Sequence, residues 1–133
     1  MAATIPDAFR DLLEQKKAFA SLATVMADGS PQVTPVWFDT SAGLIRVNTA
    51  QGRVKARTMT PGARVALSIM DPDNAYRYIQ IRGRVADVTG TGADAHIDAL
   101  AKKYLGKDAY PFRQPGEQRV MISITPDAVQ TMG

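Results

Sequence analysis

The sequence of 133 residues contains no cysteine and only one histidine. Without thiols, the chain has no disulfide, no thiolate nucleophile and no cysteine ligands for an iron–sulfur cluster. A single imidazole is also too few for a zinc site built from several histidines. Carboxylates, hydroxyls and cationic side chains remain, so more demanding chemistry would have to come from a bound cofactor.

Long hydrophobic runs are lacking as well. No stretch approaches 18 consecutive apolar residues and charged side chains interrupt the first 20 residues, so we expect neither a membrane span nor a signal peptide. These absences favour a cytoplasmic protein with no membrane partner. The length and the composition, 45% hydrophobic and 22% charged, are typical of one globular domain covering residues 1–133.

Apolar periodicity divides the chain into strands and helices. Strand-like alternation or composition occurs in six segments: 18–25, 32–38, 44–48, 64–69, 76–88 and 119–125. Helix-like spacing occurs in three further segments: 6–16, 52–59 and 91–105. The first three strands are predicted to form a meander, with Pro35 placing the second of them at an edge or a bulge. A capping-box pattern from Thr91 is predicted to begin the last helix.

Six strands in so short a chain cannot cover both faces of an open sheet. Closure into a small barrel, with some edge or face buried by a second copy of the chain, is the simplest arrangement that covers them. The expected fold class is therefore mainly β, a six-stranded antiparallel barrel with peripheral helices that assembles as a homodimer.

Positive charge is concentrated in one region. The net charge is only +3, but the stretch from Arg46 to Arg84 carries eight Arg or Lys residues against Asp71 and Asp73, a local charge of +6. This excess favours an anion-binding region. Asp71 and Asp73 flank Pro72 and are interpreted as turn formers rather than as an acid/base pair.

The most informative part of that region is residues 48–57, where a predicted strand ends, a glycine follows and a helix begins. Free backbone N–H groups at a helix start, together with Arg and Lys side chains, can bind phosphate. Within a helix Arg53 and Arg57 share a face and Lys55 points away. Arg53 and Lys55 can therefore hold one phosphate only if Arg53 precedes the helix body. The alternative is a basic helix face in solvent.

An ordered set of segments also resembles a known superfamily. The segments that carry the resemblance are 20–24, 28–37, 47–57, 71–76 and 81–85, together with 92–98 and 104–111. They resemble the split β-barrel flavin and deazaflavin oxidoreductases, and within them the pyridoxamine-5′-phosphate-oxidase-like proteins that use coenzyme F420. The resemblance spans nearly the whole chain.

The resemblance implies a set of cofactor contacts by position. Phosphate contacts fall on Arg53 and Lys55. The turn residues of the site are Asn48, Thr49 and Gly52, and the ring system would lie near Gln32, Pro35, Val36 and Trp37, beside Thr24. Members of the family are dimers in which the neighbouring subunit completes the site, which implies contributions from Tyr78 and Gln80. The alternatives are a core or interface role for Trp37 and a polar outer strand face for Tyr78 and Gln80.

Two departures from the family pattern narrow the chemistry. Authentic pyridoxamine phosphate oxidases continue into a C-terminal segment whose Arg and His hold the substrate, whereas this sequence ends at Gly133. The flavin-phosphate pattern also has adjacent Ser-Arg-Lys, whereas Gly52, Arg53 and Lys55 space the cations apart. Both departures argue against vitamin B6 oxidation and, less firmly, against FMN.

His96 lies between Asp94 and Asp98 on the predicted last helix. A histidine–carboxylate base is conceivable there. The favoured interpretation is a position at the boundary of the helix face, because His96 is adjacent in sequence to Ile97 of the apolar stripe and no Ser–His arrangement is indicated. No catalytic side chain is assigned.

The resulting hypothesis is an F420-dependent oxidoreductase that transfers hydride from the reduced deazaflavin to a small conjugated organic acceptor. Arg57, Arg82 and Arg84 are candidates for meeting the anionic F420 tail. The alternatives are an FMN-dependent oxidoreductase and a non-catalytic protein that carries the flavin or deazaflavin. No metal is expected, and nucleic acid is not expected as a partner, because aromatic residues are not interleaved with the basic ones beyond Tyr76 and Tyr78.

Overall fold

The computed structural model describes residues 3–133, which form seven strands and three short or medium helices. The strands are β1 Ala20–Val25, β2 Pro31–Val36, β3 Asp39–Ser41, β4 Leu44–Ala50, β5 Arg64–Asp71, β6 Asn74–Thr89 and β7 Arg119–Met132. The helices are α1 Arg10–Glu14, preceded by a 3₁₀ turn at Asp7–Phe9, then α2 Val54–Thr58 and α3 Ala93–Leu105. The mainly β class expected from the sequence is confirmed.

All seven strands belong to one antiparallel sheet in the order β2-β1-β5-β6-β7-β4-β3. The prediction for Pro35 is confirmed, because β2 is an edge strand and a proline there removes no required ladder hydrogen bond. The long strands β6 and β7 pair over much of their length, and β7 runs seven residues beyond the predicted end at Thr125.

Two predictions about the sheet are wrong. The sheet has seven strands rather than six, because Asp39–Ser41 folds back on β4 through a tight turn in which Ala42 and Gly43 both have positive φ, as hairpin turns of this length require. The three-stranded meander is also wrong: β4 pairs with β3 and β7, not with β2. Apolar alternation identified β4 and β7 as strands, but it does not specify which strand pairs with which.

One apolar core lies inside the curled sheet. Strands from both sides of the sheet order contribute to the same buried cluster, which includes Leu22 of β1, Ile45 of β4, Leu67 of β5, Ile81 of β6 and Ile122 of β7. The predicted apolar stripe of the first helix is confirmed, since Phe9, Leu12 and Leu13 are buried in this core. The outward residues of β1, β5 and β6 stay exposed or half-exposed.

The helix α3 covers the outer face of β7 and ends at Gly106, as predicted. The predicted capping box is wrong, because the helix begins after Gly92 and no side chain caps it. Tyr104 fixes the helix to the sheet by donating its hydroxyl hydrogen to the Ala18 carbonyl at 2.6 Å. In residues 3–133, no helix is long and apolar enough to cross a membrane.

Candidate functional site

A cleft of about 330 Å³ lies where β2, β4, α2, α3 and the 107–117 loop meet. Eight of the residues predicted from the sequence line it: Gln32, Pro35, Val36, Trp37, Asn48, Thr49, Arg53 and Lys55. Ligand pockets generally start at about this volume. Two separate motifs of the sequence therefore share one concave surface.

The turn between β4 and α2 presents the two predicted phosphate contacts. The Arg53 N–H donates to the Ala50 carbonyl at 3.2 Å, and Gly52 has φ of +87°, a conformation that glycine adopts without strain. Arg53 is extended and immediately precedes α2. The geometric condition for Arg53 and Lys55 to reach one anion is thereby met. Because α2 has only five residues, the site depends on side chains rather than on a helix terminus.

The cations of the cleft differ in environment. Arg53 is exposed and its Nη2 lies 3.3 Å from a carboxylate oxygen of Glu117. Lys55 is half-buried, and burial together with the charge of Arg53 lowers the pKa of its ammonium group. Within residues 3–133 Lys55 has no ion-pair partner. A bound anion would therefore relieve an unfavourable arrangement of charge.

Arg119 is a third cation of the cleft, which the sequence analysis missed. It begins β7, and its guanidinium donates from Nε to Asn48 Oδ1 at 2.8 Å and from Nη1 to Glu117 Oε1 at 2.9 Å. The sequence analysis assigned the segment 119–125 to a strand and gave Arg119 no role. The apolar stripe of α3 could have indicated its position, because such a stripe must cover a sheet face, and Arg119 lies on the face that α3 covers.

Aromatic side chains form another part of the cleft. Trp37 stacks on Tyr104 at 5.2 Å between ring centroids, and Tyr110 meets Trp37 edge-on at 6.1 Å. Burial raises the pKa of Tyr104 to about 12, so its hydroxyl stays neutral. Tyr110 and Phe112 also line the cleft, and both lie in the loop that the sequence analysis left without function. No periodic pattern marks these residues.

The 107–117 loop is fixed to α3 through one carboxylate. The backbone N–H of Tyr110 donates to Asp98 Oδ1 at 2.9 Å, and Arg113 Nη2 donates to the same oxygen at 2.6 Å. The hydrogen bond from the Tyr110 N–H is the largest cause of the lowered pKa of Asp98. Burial acts in the opposite direction, and Arg113 lowers the pKa further. The ionised carboxylate thus holds the aromatic side of the cleft in place.

His96 does not pair with its neighbours on the helix. It is buried, its Nε2 lies 3.1 Å from Asp39 Oδ1, and its Nδ1 lies 3.1 Å from Asn48 Nδ2. The pairing with Asp94 and Asp98, which the sequence analysis considered but did not favour, does not form, because residues two positions apart on a helix point in different directions. The predicted position at the boundary of the helix face is wrong, since the side chain packs against β3 and β4.

Comparison with known proteins decides the family. The sequence profile described as Pyridoxamine 5′-phosphate oxidase matches residues 5–133. The chain belongs to this family. The recognition made from the sequence, a split β-barrel flavin or deazaflavin oxidoreductase, is confirmed. A comparison with curated proteins gave no match.

Solved structures of the pyridoxamine 5′-phosphate oxidase fold extend the comparison. One described as an F420 reductase is 34% identical with a TM-score of 0.80, over 95% of this chain and 98% of that one. A FAD and heme binding protein from Mycobacterium smegmatis is 17% identical with a TM-score of 0.70, over 98% and 71%. HutZ, the heme storage protein from Vibrio cholerae, is 14% identical with a TM-score of 0.67, over 98% and 96%. At these low identities the last two show the fold alone.

Several predicted residues of this family member do not line the cleft. Thr24 is buried directly opposite Gln32 in the β1–β2 register and, with Arg82 and Arg84, borders a separate depression of about 380 Å³. Tyr78 and Gln80 lie at the outer surface of β6.

Gly52 shapes the β4–α2 turn without lining the cleft, and Arg57 donates back to its carbonyl at 3.1 Å. The interpretation of Asp71 and Asp73 as turn formers is confirmed, since the Asp73 N–H donates to Asp71 Oδ1 at 2.8 Å. Asp71 also pairs with Lys16 and Arg77, and the hydrogen bond from Lys16 is the largest cause of its lowered pKa.

Proposed function

We propose that the protein is an F420-dependent oxidoreductase that reduces a small conjugated organic acceptor. The observation that carries the proposal is a single cleft in which three cations, Arg53, Lys55 and Arg119, adjoin an aromatic and apolar wall. A phosphate-bearing ring cofactor needs this combination of donors and flat apolar surface. The 34% identity to an F420 reductase supports the same assignment.

The donor set of the cleft fits a phosphate. Two of its cations share the carboxylate of Glu117, and Lys55 has no carboxylate partner among residues 3–133. The balance of the cleft is therefore positive, and Asn48 and Thr49 add polar groups from β4. Arg53, Lys55 and Arg119 would hold the phosphate through charge-assisted hydrogen bonds.

The apolar part of the cleft fits a ring system. Pro35, Val36 and Trp37 border it from the β2 side, and Ile97 and Leu100 from α3. These residues exclude water and orient the ring beside the place where the acceptor must bind. When bound, reduced F420 supplies a hydride from C5 of its deazaflavin ring. The accompanying proton can come from solvent, so no side chain is required as an acid.

The size of the cleft favours a shared site. A volume of about 330 Å³ is small for a cofactor that carries a ring, a phosphate and an anionic tail. A partner subunit would enlarge the enclosure, and Tyr78 and Gln80, at the outer surface of β6, are proposed as its contribution. The cationic residues Arg57, Arg82 and Arg84 are proposed to attract the tail.

The assignment of F420 over FMN follows from charge. Both cofactors offer a phosphate, whereas F420 adds the carboxylates of its oligoglutamyl tail, and the cleft, in which Arg53, Lys55 and Arg119 outnumber the paired carboxylate of Glu117, attracts the more anionic ligand. We expect F420 to bind at least tenfold more tightly than FMN at low salt, a difference of about 1.4 kcal/mol. The difference should narrow as salt screens the exposed charges.

Competition titrations of the apoprotein with F420 and FMN at two ionic strengths test this assignment. Tighter F420 binding that weakens with salt supports it. Equal or tighter FMN binding at low salt would overturn it in favour of the FMN-dependent alternative.

Turnover separates an enzyme from a carrier. An α,β-unsaturated ketone should be reduced at the expense of F420H2, followed by the absorbance of the reoxidised cofactor. Tight binding without turnover on any conjugated acceptor would instead favour a carrier. Haem binding has weaker support, because both ring nitrogens of the only histidine, His96, already face Asn48 and Asp39.

A further inference from the structure

A continuous chain of polar side chains runs beneath the cleft. It leads from Asp39 on β3 through His96 on α3 and Asn48 on β4 to Arg119 on β7. Its links measure 3.1, 3.1 and 2.8 Å. Glu117 then joins Arg119 to Arg53. The chain connects the one histidine to the cations that the proposed function assigns to the phosphate.

The direction of every hydrogen bond in this chain is determined. A guanidinium only donates, so Asn48 Oδ1 must be the atom that accepts from Arg119 Nε. The Asn48 amide nitrogen then donates to the Ala93 carbonyl at 2.8 Å and to His96 Nδ1. His96 Nδ1 must therefore be an unprotonated acceptor, and its Nε2–H donates to the carboxylate of Asp39.

We propose that His96 is a positioning residue whose neutral Nε2–H tautomer fixes the Asn48 amide and, through it, the guanidinium of Arg119 in the anion site. The inference rests on the proposed function, because it assumes that Arg119 binds the phosphate. Arg119 is only 4% exposed in its side chain, so its partners set its orientation. Among residues 3–133 its Nη2 has no hydrogen-bond partner, which leaves that nitrogen for a ligand.

Protonation of His96 reverses the link to Asn48. An imidazolium donates from both nitrogens, so its Nδ1–H would face the Asn48 N–H. Rotating the Asn48 amide to accept from His96 would turn its NH₂ group towards Arg119 and deprive the Ala93 carbonyl of its donor. Either arrangement removes the acceptor that holds Arg119 Nε and leaves Glu117 and the ring of Tyr110 as the partners of this guanidinium. The full set of contacts that orient Arg119 therefore requires a neutral His96.

Charged side chains of β4 and α3 surround Asp39, the carboxylate that accepts from His96. Arg46 of β4 binds Asp39 through two contacts, at 2.9 and 2.8 Å, and so already neutralises the carboxylate. Burial raises the pKa of Asp39, but the hydrogen bonds from His96 and Arg46 outweigh burial and hold it below its usual range. Lys103 of α3 adds a further positive charge near Asp39, whereas Asp94 and Asp98 of the same helix pair with Arg113.

The pH dependence of anion binding tests the proposal. Inorganic sulfate is a suitable probe because its charge is constant where histidine titrates, and Trp37, the only tryptophan, lines the cleft and reports binding by its fluorescence. At constant ionic strength we expect sulfate affinity to fall about tenfold or more between about pH 8 and about pH 5.5, the effect of losing one charge-assisted contact. Simple electrostatics predicts the opposite sign, because acidification makes the protein more positive.

The matched variant is His96→Asn. Its amide oxygen can occupy the place of Nδ1 and accept from Asn48, but it does not titrate. We expect this variant to bind sulfate near pH 8 almost as well as the wild type and to show no loss on acidification. The same change of affinity with pH in His96→Asn and in the wild type would overturn the role of His96 alone, because Lys55 and the overall charge of the protein affect both proteins equally. Absence of sulfate binding at both pH values would remove the anion site and overturn the phosphate assignment as well.

A second measurement keeps the proposal testable should the variant not fold. The wild type has one imidazole, so its side-chain ¹⁵N spectrum reports a single tautomer. We expect an unprotonated Nδ1 and a protonated Nε2 at about pH 8. A protonated Nδ1 at that pH would contradict the chain of donors and acceptors. A protonated Nδ1 would refute the role of His96 without refuting the proposed function, which the F420 and FMN titrations test separately.

Discussion

At the residue scale, Lys55 is the most informative side chain of the cleft. It is half-buried, it lies close to the charge of Arg53, and both effects lower the pKa of its ammonium group. A cationic side chain that is partly buried, lies near another cation and has no carboxylate partner is typical of a site that binds an anionic ligand. We therefore expect Lys55 to contribute more to anion binding than the exposed Arg53.

Replacement of either cation by alanine tests this expectation. Lys55→Ala should weaken cofactor binding by about 2–3 kcal/mol, and Arg53→Ala by about 1.5 kcal/mol or less, because solvent screens the exposed side chain. Isothermal titration measures both values. Lys17→Ala is the matched control, since it removes an exposed positive charge that does not line the cleft. If both variants bind the cofactor as tightly as Lys17→Ala does, residues 48–57 form only a basic helix face in solvent.

The lowered pKa of Lys55 also predicts a pH dependence of binding. The charged ammonium binds the anion, so affinity should be complete below the pKa of Lys55 in the free protein and should decline as pH rises through it. In Arg53→Ala this decline should move to higher pH, because one of the two causes that lower the pKa is removed. A decline at the same pH in both proteins would contradict the coupling of the two side chains.

At the scale of the elements, the pairing of β6 with β7 depends on one glycine. Gly83 lies opposite Pro126, and the register shifts there because Asp127 is inserted between the partners of Arg82 and Gly83. A Cβ on Gly83 would penetrate the backbone carbonyl of Thr125, which cannot move without disturbing the sheet. The missing Cβ is what allows the bulge, whereas Pro126 is tolerated because β4 pairs with β7 only as far as Ile124 and leaves one side of β7 unpaired there.

Gly83→Ala should therefore lower the free energy of unfolding by about 2 kcal/mol or more. The urea midpoint at constant m-value measures the change. Gly90→Ala is the matched control, because the nearest atom that its Cβ would meet is the Arg119 carbonyl oxygen at an ordinary 3.8 Å. Equal midpoints for the two variants would show that the β6–β7 bulge relaxes without cost.

The same bulge explains why the sequence did not predict the end of β7. Apolar alternation correctly placed Val120, Ile122 and Ile124 inward, but Pro126 reads as a strand terminator in any single strand. Only the partner strand, through Gly83, makes the continuation to Met132 possible. The meander failed for a related reason, since β4 finds β7 some 70 residues later in the chain. Local pattern specifies strands, whereas pairing depends on distant residues.

The candidate site divides along the same line. The cleft residues within 48–55 were predicted from the glycine and the cations that follow a strand and from the family resemblance, and those within 32–37 from the resemblance alone. Arg119, Tyr110 and Phe112 were not predicted, because no local pattern distinguishes them and only the packing of α3 and its following loop brings them to the cleft. The burial of His96 was missed for the same reason, since its partner Asp39 is 57 residues away.

At the scale of the whole molecule, one sheet face remains open. The outward residues of β1, β5 and β6 include the uncharged Ala23, Ala66, Ser68 and Gln80, and half-exposed Val25 and Met70 extend this surface. The exposed arginines of the same strands, Arg64, Arg82 and Arg84, lie towards one end of it. We expect the uncharged part of this face to pack against a second copy of the chain. Because Tyr78 and Gln80 belong to it, association would also bring them towards a partner's cleft.

Dimerisation and cofactor binding should therefore be lost together. Ala23→Glu places a charge on β1 between the uncharged Val33 and Ala66 of the neighbouring strands and should convert a dimer of twice the 14.4 kDa chain mass into a monomer, measured by sedimentation equilibrium at micromolar concentration. The same variant should bind F420 more weakly, because it loses the contributions of Tyr78 and Gln80 from the partner. Ala99→Glu, on the exposed side of α3, is the matched control and should leave both properties unchanged. A wild type that sediments as a monomer, or a monomeric Ala23→Glu that binds F420 as tightly as the dimer, would show that the cleft works within one chain.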